Sequence, residues 1–566
     1  MPLKLNIDSG ASAYANPSEP ITNLSFGARY ISYNNEGRFL SQTNDLDPGM
    51  IVWPGGTLAE TRDDRYGLDF DDLYNPATNK PGLSDMMDIA NAQGAGLTVI
   101  LPTARYLGDP GGLQDDLEGF LDKLLGGDFG RLPDPMVLEV GSEYFANFPA
   151  GNRAGAYGDI ADLMVTEIAL ALSDPSVNTA RADVTIAVQT GKTTAEDAVI
   201  RAAMSDEALA NVDMITHHRF AYQPQGIDPR IGEVERIVDN WEADVQGAGG
   251  EAPDLFVSAW NTVTITRNGV LKMYVDDQAA QGNRIDPDSV DLDGRSHTGF
   301  ERFWQSELSN AAYGQEHAAY LLESFASYAE AGMDAGSVYG IDLVHPGRLS
   351  WRDGGQDHQF VGAEMLEMIY ESVGGTHVLE TQDAYDPRDP VTIYGFENDD
   401  KLVMFLAAGD RAPGDIVLDL DGIGSELMSV HAERLTSETP SDWMAIFGIP
   451  DNARVDESPE ADSYAMGVRE VVKPVVTTGG LALDLDEAHE ILRLSFAKTA
   501  KGAKEIAGFS DGKAVDLGVL PVAETVDEAV LEETVDEGGI DSATMIAEGA
   551  GGAGMGAMLL LLLLFL

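Results

Sequence analysis

Eight short apolar runs, most of them followed by an amphipathic stretch, occupy roughly the first 370 residues, and this alternation limits the fold more than any other feature. The runs are 24–31, 50–53, 97–101, 136–140, 184–189, 214–218, 255–260 and 338–344. The stretches 83–92, 113–125, 157–173 and 317–331 place apolar residues near the 3.6-residue period of a helix. Strands alternating with helices make an α/β domain with a parallel sheet. Eight such units over residues 20–372 give the size of a (β/α)8 TIM barrel. The segment 272–300 is polar, rich in Asp and without periodicity, so it is expected to be a long loop after strand seven.

After a helix at 363–372 and the stop Gly374-Gly375 the pattern changes. Runs at 391–396, 402–406, 416–420, 481–485 and 491–496 are separated by Gly, Asp and Pro turns with no helical stretches between them. This predicts an antiparallel β-sandwich over 376–500, with residues 1–19 attached and 3–7 supplying one strand. Residues 501–566 are rich in Ala, Gly, Glu and Asp, and are expected to be a flexible acidic tail with an apolar end.

Composition removes several functions. With 95 acidic and 35 basic residues the net charge is −60, so the Lys and Arg that neutralise nucleic-acid phosphates are scarce. The absence of cysteine excludes disulfides, a thiolate nucleophile and a Cys-based zinc site. His217 and His218 are adjacent on a strand and face opposite sides, a poor arrangement for one metal. The Asp-rich residues 276–293 match no EF-hand loop. No metal or cofactor is therefore expected. The start Met1-Pro2-Leu3-Lys4 has no apolar signal region, whereas 549–566 is uncharged and ends in an apolar run. Together these features predict an extracellular or cell-surface protein that leaves the cytoplasm through information in its C-terminus, in the manner of one-step type I secretion. A C-terminal membrane anchor is the rival reading, and either would bring that segment to a membrane or to secretion machinery.

Five short motifs fall at the carboxyl ends of the expected strands, where barrel enzymes build their sites. Strand one carries Phe26-Gly27 with Arg29, and strand two ends in Trp53-Pro54-Gly55-Gly56. Strand four ends in Leu138-Glu139-Val140-Gly141-Ser142-Glu143-Tyr144. Strand six ends in His217-His218 with Phe220 close by, and strand seven in Ser258-Ala259-Trp260-Asn261. As a set they resemble clan A glycoside hydrolases, in particular the branch of heparanase-like glucuronidases, β-xylosidases and arabinofuranosidases. That resemblance covers about residues 20–500 and implies a barrel followed by a β-sandwich. It implies Glu143 as general acid/base. It also implies a saccharide pocket lined by Trp53, Ser142, Tyr144, His217, His218, Trp260, Asn261 and Tyr339.

Two departures follow from the same resemblance. The family carries its nucleophile Glu between Ser/Thr and Trp-Asn on strand seven, and here that residue is Ala259. Ser142 stands where the family has an Asn that binds the sugar 2-hydroxyl. A retaining glycosidase needs two carboxyl groups ~5 Å apart, one to protonate the leaving oxygen and one to attack carbon. Three readings remain open. The barrel is a non-catalytic carbohydrate-binding or cell-envelope protein; or Asp342, with Glu316 and Glu60 behind it, substitutes for the missing carboxylate; or the alignment of strand seven is offset. Trp260, Trp304, Tyr339 and Trp351 are sugar-stacking candidates, with core packing as the rival reading of each. The expected partner is a neutral polysaccharide or oligosaccharide of plant or algal type.

Overall fold

The computed structural model describes residues 3–6, 20–31, 46–55, 58–61, 81–221, 223–263, 265–292, 298–340, 350–353, 356–379, 385–420, 427–440, 464–477, 480–509 and 515–517. A closed parallel barrel is formed by strands Gly27–Ile31, Met50–Gly55, Gly96–Leu101, Met136–Val140, Thr185–Gln189, Met214–Ala221, Asp254–Thr262 and Met333–Val338, called one to eight below. Pairing runs from each strand to the next and closes where Ala28 of strand one meets Val338 of strand eight. The expected barrel is therefore the observed one.

Strands two and four read as near-continuous apolar runs because both of their faces are buried, one in the barrel interior and one under helices. Helices Leu83–Gln93, Pro110–Gly126, Arg153–Ser173, Thr194–Ala203, Asp228–Ala248, Gln315–Glu330 and Val361–Val373 follow strands two to eight in turn. Their ends are set locally. Asp109, Asn152 and Thr193 accept N-cap bonds from Gly112, Gly155 and Glu196, and left-handed glycines 94, 127 and 249 close three C-termini.

Two elements differ from expectation. Strand eight, Met333–Val338, begins five residues before the expected 338–344, because its start, Met-Asp-Ala-Gly-Ser, is too small and polar to read as an apolar run; residues 341–344 lie outside the described residues. Segment 272–300 is not one loop. Helix Arg267–Ala280 leads into it and helix Thr298–Leu308 leaves it, and the two pack Val270 and Tyr274 against Phe300, Trp304 and Leu308 in a small core of their own. Helix Arg267–Ala280 buries only Val270 and Tyr274, so its apolar periodicity is weak.

The carboxyl-terminal domain is the expected sandwich of two sheets. The larger runs His377–Val378, Val391–Glu397, Lys401–Ala408, Ile491–Ala497, Ser429–Glu438, Met466–Val472, with Val515–Asp516 beside Ser429–Glu438. The smaller runs Leu3–Asn6, Gly414–Asp419, Gly480–Leu485, Val475–Thr477, so the N-terminal segment does supply a strand, paired parallel to Gly414–Asp419. Strand Lys401–Ala408 is buried throughout: Leu402, Met404 and Leu406 fill the sandwich core, while Val403, Phe405 and Ala407 join the barrel-side core. Order continues beyond Lys501, where helix Ala500–Ile506 packs Ile506 and Phe509 on the larger sheet. Residues 518–566, including the apolar end, lie outside the described residues. Among the described residues no helix is long and apolar enough to cross a membrane.

Candidate functional site

The end of strand four is the most constrained piece of backbone at the barrel mouth. Gly141 turns the chain with φ +77°, and a Cβ there would come within 2.8 Å of Thr103 Oγ1 and 3.0 Å of the Tyr157 ring. Tyr157 pins the same turn from behind, donating to the Val140 carbonyl at 2.6 Å and accepting from the Gln189 N–H at 2.8 Å. Glu143 follows in the left-handed region, φ 51°, which costs a non-glycine residue about 1–3 kcal/mol unless the surroundings hold it. Asn147 supplies part of that hold by donating to the carbonyls of Ser142 and Glu143. The result aims a carboxylate, 7% exposed, into the mouth.

Side chains from other strands reach it across the barrel. His218 Nδ1 of strand six lies 3.3 Å from Glu143 Oε1, and its Nε2 lies 3.6 Å from Glu139 Oε1. Glu139, fully buried, also accepts from Ser258 Oγ of strand seven at 3.2 Å. Strands four and seven are not neighbours, so this bond requires both side chains to point inward. Arg29 of strand one donates to the Ser258 carbonyl at 2.9 Å and to Ser142 Oγ at 3.3 Å, and so bridges the ends of strands four and seven. Ala259, 2% exposed, pairs in register with His218. Position 259 is thus the strand-seven backbone partner of the residue that holds Glu143, and it carries a methyl group.

The electrostatics of this group are unlike those of a resting general acid. Burial alone would raise the Glu143 pKa, but the hydrogen bond and charge of His218, with Arg29 and Lys192, outweigh it and hold the carboxyl below its ordinary value. For His218 burial works the other way, and its two carboxylate neighbours overcome both burial and Arg29 to raise it. Both shifts favour the charged forms, a carboxylate on Glu143 and an imidazolium on His218.

The remaining expected residues sit at several depths. Ser142 is buried, its hydroxyl accepting from Arg29 and its N–H donating to Glu60 at 3.0 Å. Tyr144 points its hydroxyl at Glu196, 3.1 Å away, and stacks on Tyr157. His217 turns away from His218 to meet Thr190 Oγ1 at 2.9 Å. Trp53 and Trp260 are 0% and 1% exposed. Asn261 is fully buried: its amide donates to the Tyr339 carbonyl at 2.5 Å and accepts from the Thr262 N–H at 2.6 Å, and its oxygen lies 2.8 Å from His317 Nε2. Tyr339 follows strand eight and meets Phe220 edge-on. Trp304 is buried in the helical insert with Arg267 over its ring.

Of the substitute carboxylates, Glu60 accepts from the N–H groups of Thr103, Ala104 and Ser142 and from Thr103 Oγ1, at 2.7–3.0 Å. Its oxygens are thus committed to the backbone. Glu316 begins helix Gln315–Glu330, where burial and the nearby Asp410 of the sandwich push its pKa to about 7. Asp342 and the side chain of Trp351 lie outside the described residues. No group of three or more metal-ligating side chains occurs among the described residues. Gln189 and Lys192 were not singled out from the sequence, and Arg29, Glu139 and Ser258 were named only as parts of the strand-end motifs, with no role of their own. A charged residue inside a five-residue apolar strand, two positions before Gly141 and four before Glu143, was the available signal for Glu139.

Comparison with known proteins adds the architecture. No protein-family model and no curated protein matches the sequence. Among solved structures, a GH51 arabinofuranosidase from Xanthomonas axonopodis pv. citri superposes with TM-score 0.53 at 12% identity, covering 87% of this chain and 99% of that one. The chain shares the fold of that protein. An α-L-arabinofuranosidase from Thermotoga maritima in complex with arabinose shares that fold at TM-score 0.53 and 10% identity, over 87% of this chain and 99% of the other. The family 51 α-L-arabinofuranosidase from Bifidobacterium longum does so at TM-score 0.52 and 12% identity, over 85% and 98%. The likeness extends over most of this chain, at an identity that speaks for the fold alone.

Proposed function

We propose that the barrel mouth is a saccharide pocket that binds a neutral polysaccharide or oligosaccharide without the double displacement of a retaining glycosidase. One observation carries this reading: the strand-seven residue that pairs in register with His218, the residue that holds Glu143, is Ala259 and offers no nucleophile. The family 51 fold supports a sugar as the ligand class. In a retaining enzyme the attacking carboxylate also raises the pKa of its partner by like-charge repulsion. Here no such charge comes from position 259, and Glu143 is held low instead. An ionised, buried carboxylate beside Arg29 and His218 makes a strong acceptor for sugar hydroxyls. Ser142, Tyr144, His217, His218, Trp53, Trp260, Asn261 and Tyr339 form or back the pocket in this reading. The protein works outside the cell or at its surface, reached through the C-terminal segment, where deletion of residues 549–566 should abolish export.

Calorimetric titration with arabino- and xylo-oligosaccharides tests the reading. Binding that Glu143→Gln weakens at least tenfold, with no hydrolysis of the ligand, is expected. Hydrolysis lost on Asp342→Asn would show instead that a displaced carboxylate does the attacking.

A further inference from the structure

The barrel interior carries a second carboxylate that saccharide binding does not itself require. Glu139 is 0% exposed within strand four, whereas Glu143, 7% exposed, follows the turn at that strand's end. Moving an ionised carboxylate out of water costs several kcal/mol unless a cation and hydrogen bonds compensate. Glu139 Oε1 has Ser258 Oγ at 3.2 Å and the His218 Nε2 at 3.6 Å, an ion contact rather than a hydrogen bond. Its Oε2 has no partner among the described residues, and neither do the nearby interior atoms Arg29 Nε, Thr216 Oγ1 and Ser337 Oγ. This layer is therefore polar and incompletely paired at the level just below the mouth. A layer serving only stability would be apolar, as the interior nearer the strand starts is.

His218 touches both acids, one through each ring nitrogen. A neutral imidazole can donate from only one of those nitrogens, whereas an imidazolium donates from both. We propose that Glu139 is a positioning residue that holds His218 as an imidazolium between two carboxylates, so that Glu143 meets its ligand as an ionised acceptor. Among the described residues, the charged groups facing this chain are Glu139 from strand four, Glu143 just after it, Arg29 from strand one, and Lys192 after strand five. The two acids outweigh Arg29 at His218, and the three cations outweigh burial at Glu143. Only the final link, from ionised Glu143 to a bound sugar, rests on the saccharide reading.

The test reads the histidine itself. In the full-length protein labelled with 15N-histidine, the His218 resonances are assigned by their loss in His218→Gln and followed from about pH 5 to 8. The native protein is expected to show both ring nitrogens protonated up to a midpoint above the ordinary 6.5. Glu139→Gln should lower that midpoint by about one unit, a tenfold loss of proton affinity, and Glu139→Asp should restore part of it. Ser258→Ala, which removes only the hydroxyl on Glu139, should move the midpoint by less. A His218 that is singly protonated across the range in the native protein overturns the proposal whether or not the variants fold. So does a folded Glu139→Gln whose His218 midpoint is unmoved. Sugar binding is measured separately, so a charged His218 with no saccharide affinity would remove the functional reading and leave this one standing. A neutral His218 with intact affinity would do the reverse.

Discussion

The two halves of the barrel interior are built from the same eight strands and have opposite chemistry. Toward the strand starts, Met50, Val52, Ile100, Val137, Ala187, Met214, Phe256 and Ala335 form one apolar cluster. Toward the strand ends the inward groups are Arg29, Glu139, His218 and Ser258, with Glu143 above them. A closed barrel needs its interior filled, and aliphatic side chains do that at no desolvation cost. On the proposed reading, the buried ionisable groups at the other end serve a ligand rather than the fold, as expected where stability and function pull apart.

The largest effect should come from the apolar half. Phe256→Ala removes a fully buried ring and should cost about 3–5 kcal/mol in chemical denaturation. In the surviving folded fraction the His218 midpoint should not move; a shift would mean the two halves are coupled. Next, Tyr157→Phe leaves the Val140 carbonyl and the Gln189 N–H without their hydroxyl partner at the turn that aims Glu143. A loss of about 1–3 kcal/mol is expected, with a clear drop in saccharide affinity. If stability falls and affinity does not, the strained turn is not what places Glu143.

The smallest stability effect is expected at the site itself. Glu143→Gln removes a buried charge and keeps the shape, so stability near neutral pH should change by no more than about 1 kcal/mol while binding collapses. Its pH dependence sharpens the contrast. Glu143 is lowered, so its contribution is present above the ordinary carboxylate range and lost as pH falls through its folded value. His218 is raised, so its contribution is full below the ordinary 6.5 and lost as pH rises through its folded value. The stability difference between native protein and His218→Gln should therefore be greatest between about pH 4.5 and 6.5 and shrink on either side. A difference flat in pH would mean the pair is not ionic.

How much of this was legible varied with the kind of signal. Barrel strands two to seven were visible because burial on both faces writes an apolar run, and strand four was bounded to the residue. Strand eight was missed by five residues at its start because Asp334, Gly336 and Ser337 dilute the run. Strands Ser429–Glu438 and Met466–Val472 escaped because charged residues Glu433, Arg434 and Arg469 sit within them. Their reason is tertiary: Arg469 and the buried Arg493 join Glu433 to Glu371 on the barrel helix Val361–Val373. At the site, Glu143, His218 and Ala259 could be found from motif position. Glu139 and Arg29 could not be paired with them, since their contacts cross the barrel between strands far apart in sequence.

The absence of a nucleophile at position 259 is tested most directly by turnover of 4-nitrophenyl α-L-arabinofuranoside and β-D-xyloside, comparing the natural protein with Ala259→Glu. No release above background from the natural protein is predicted, and release from Ala259→Glu that falls by a factor on the order of 10²–10⁴ when Glu143→Gln is added. Steady turnover by the natural protein, abolished by Glu143→Gln alone, would contradict the account.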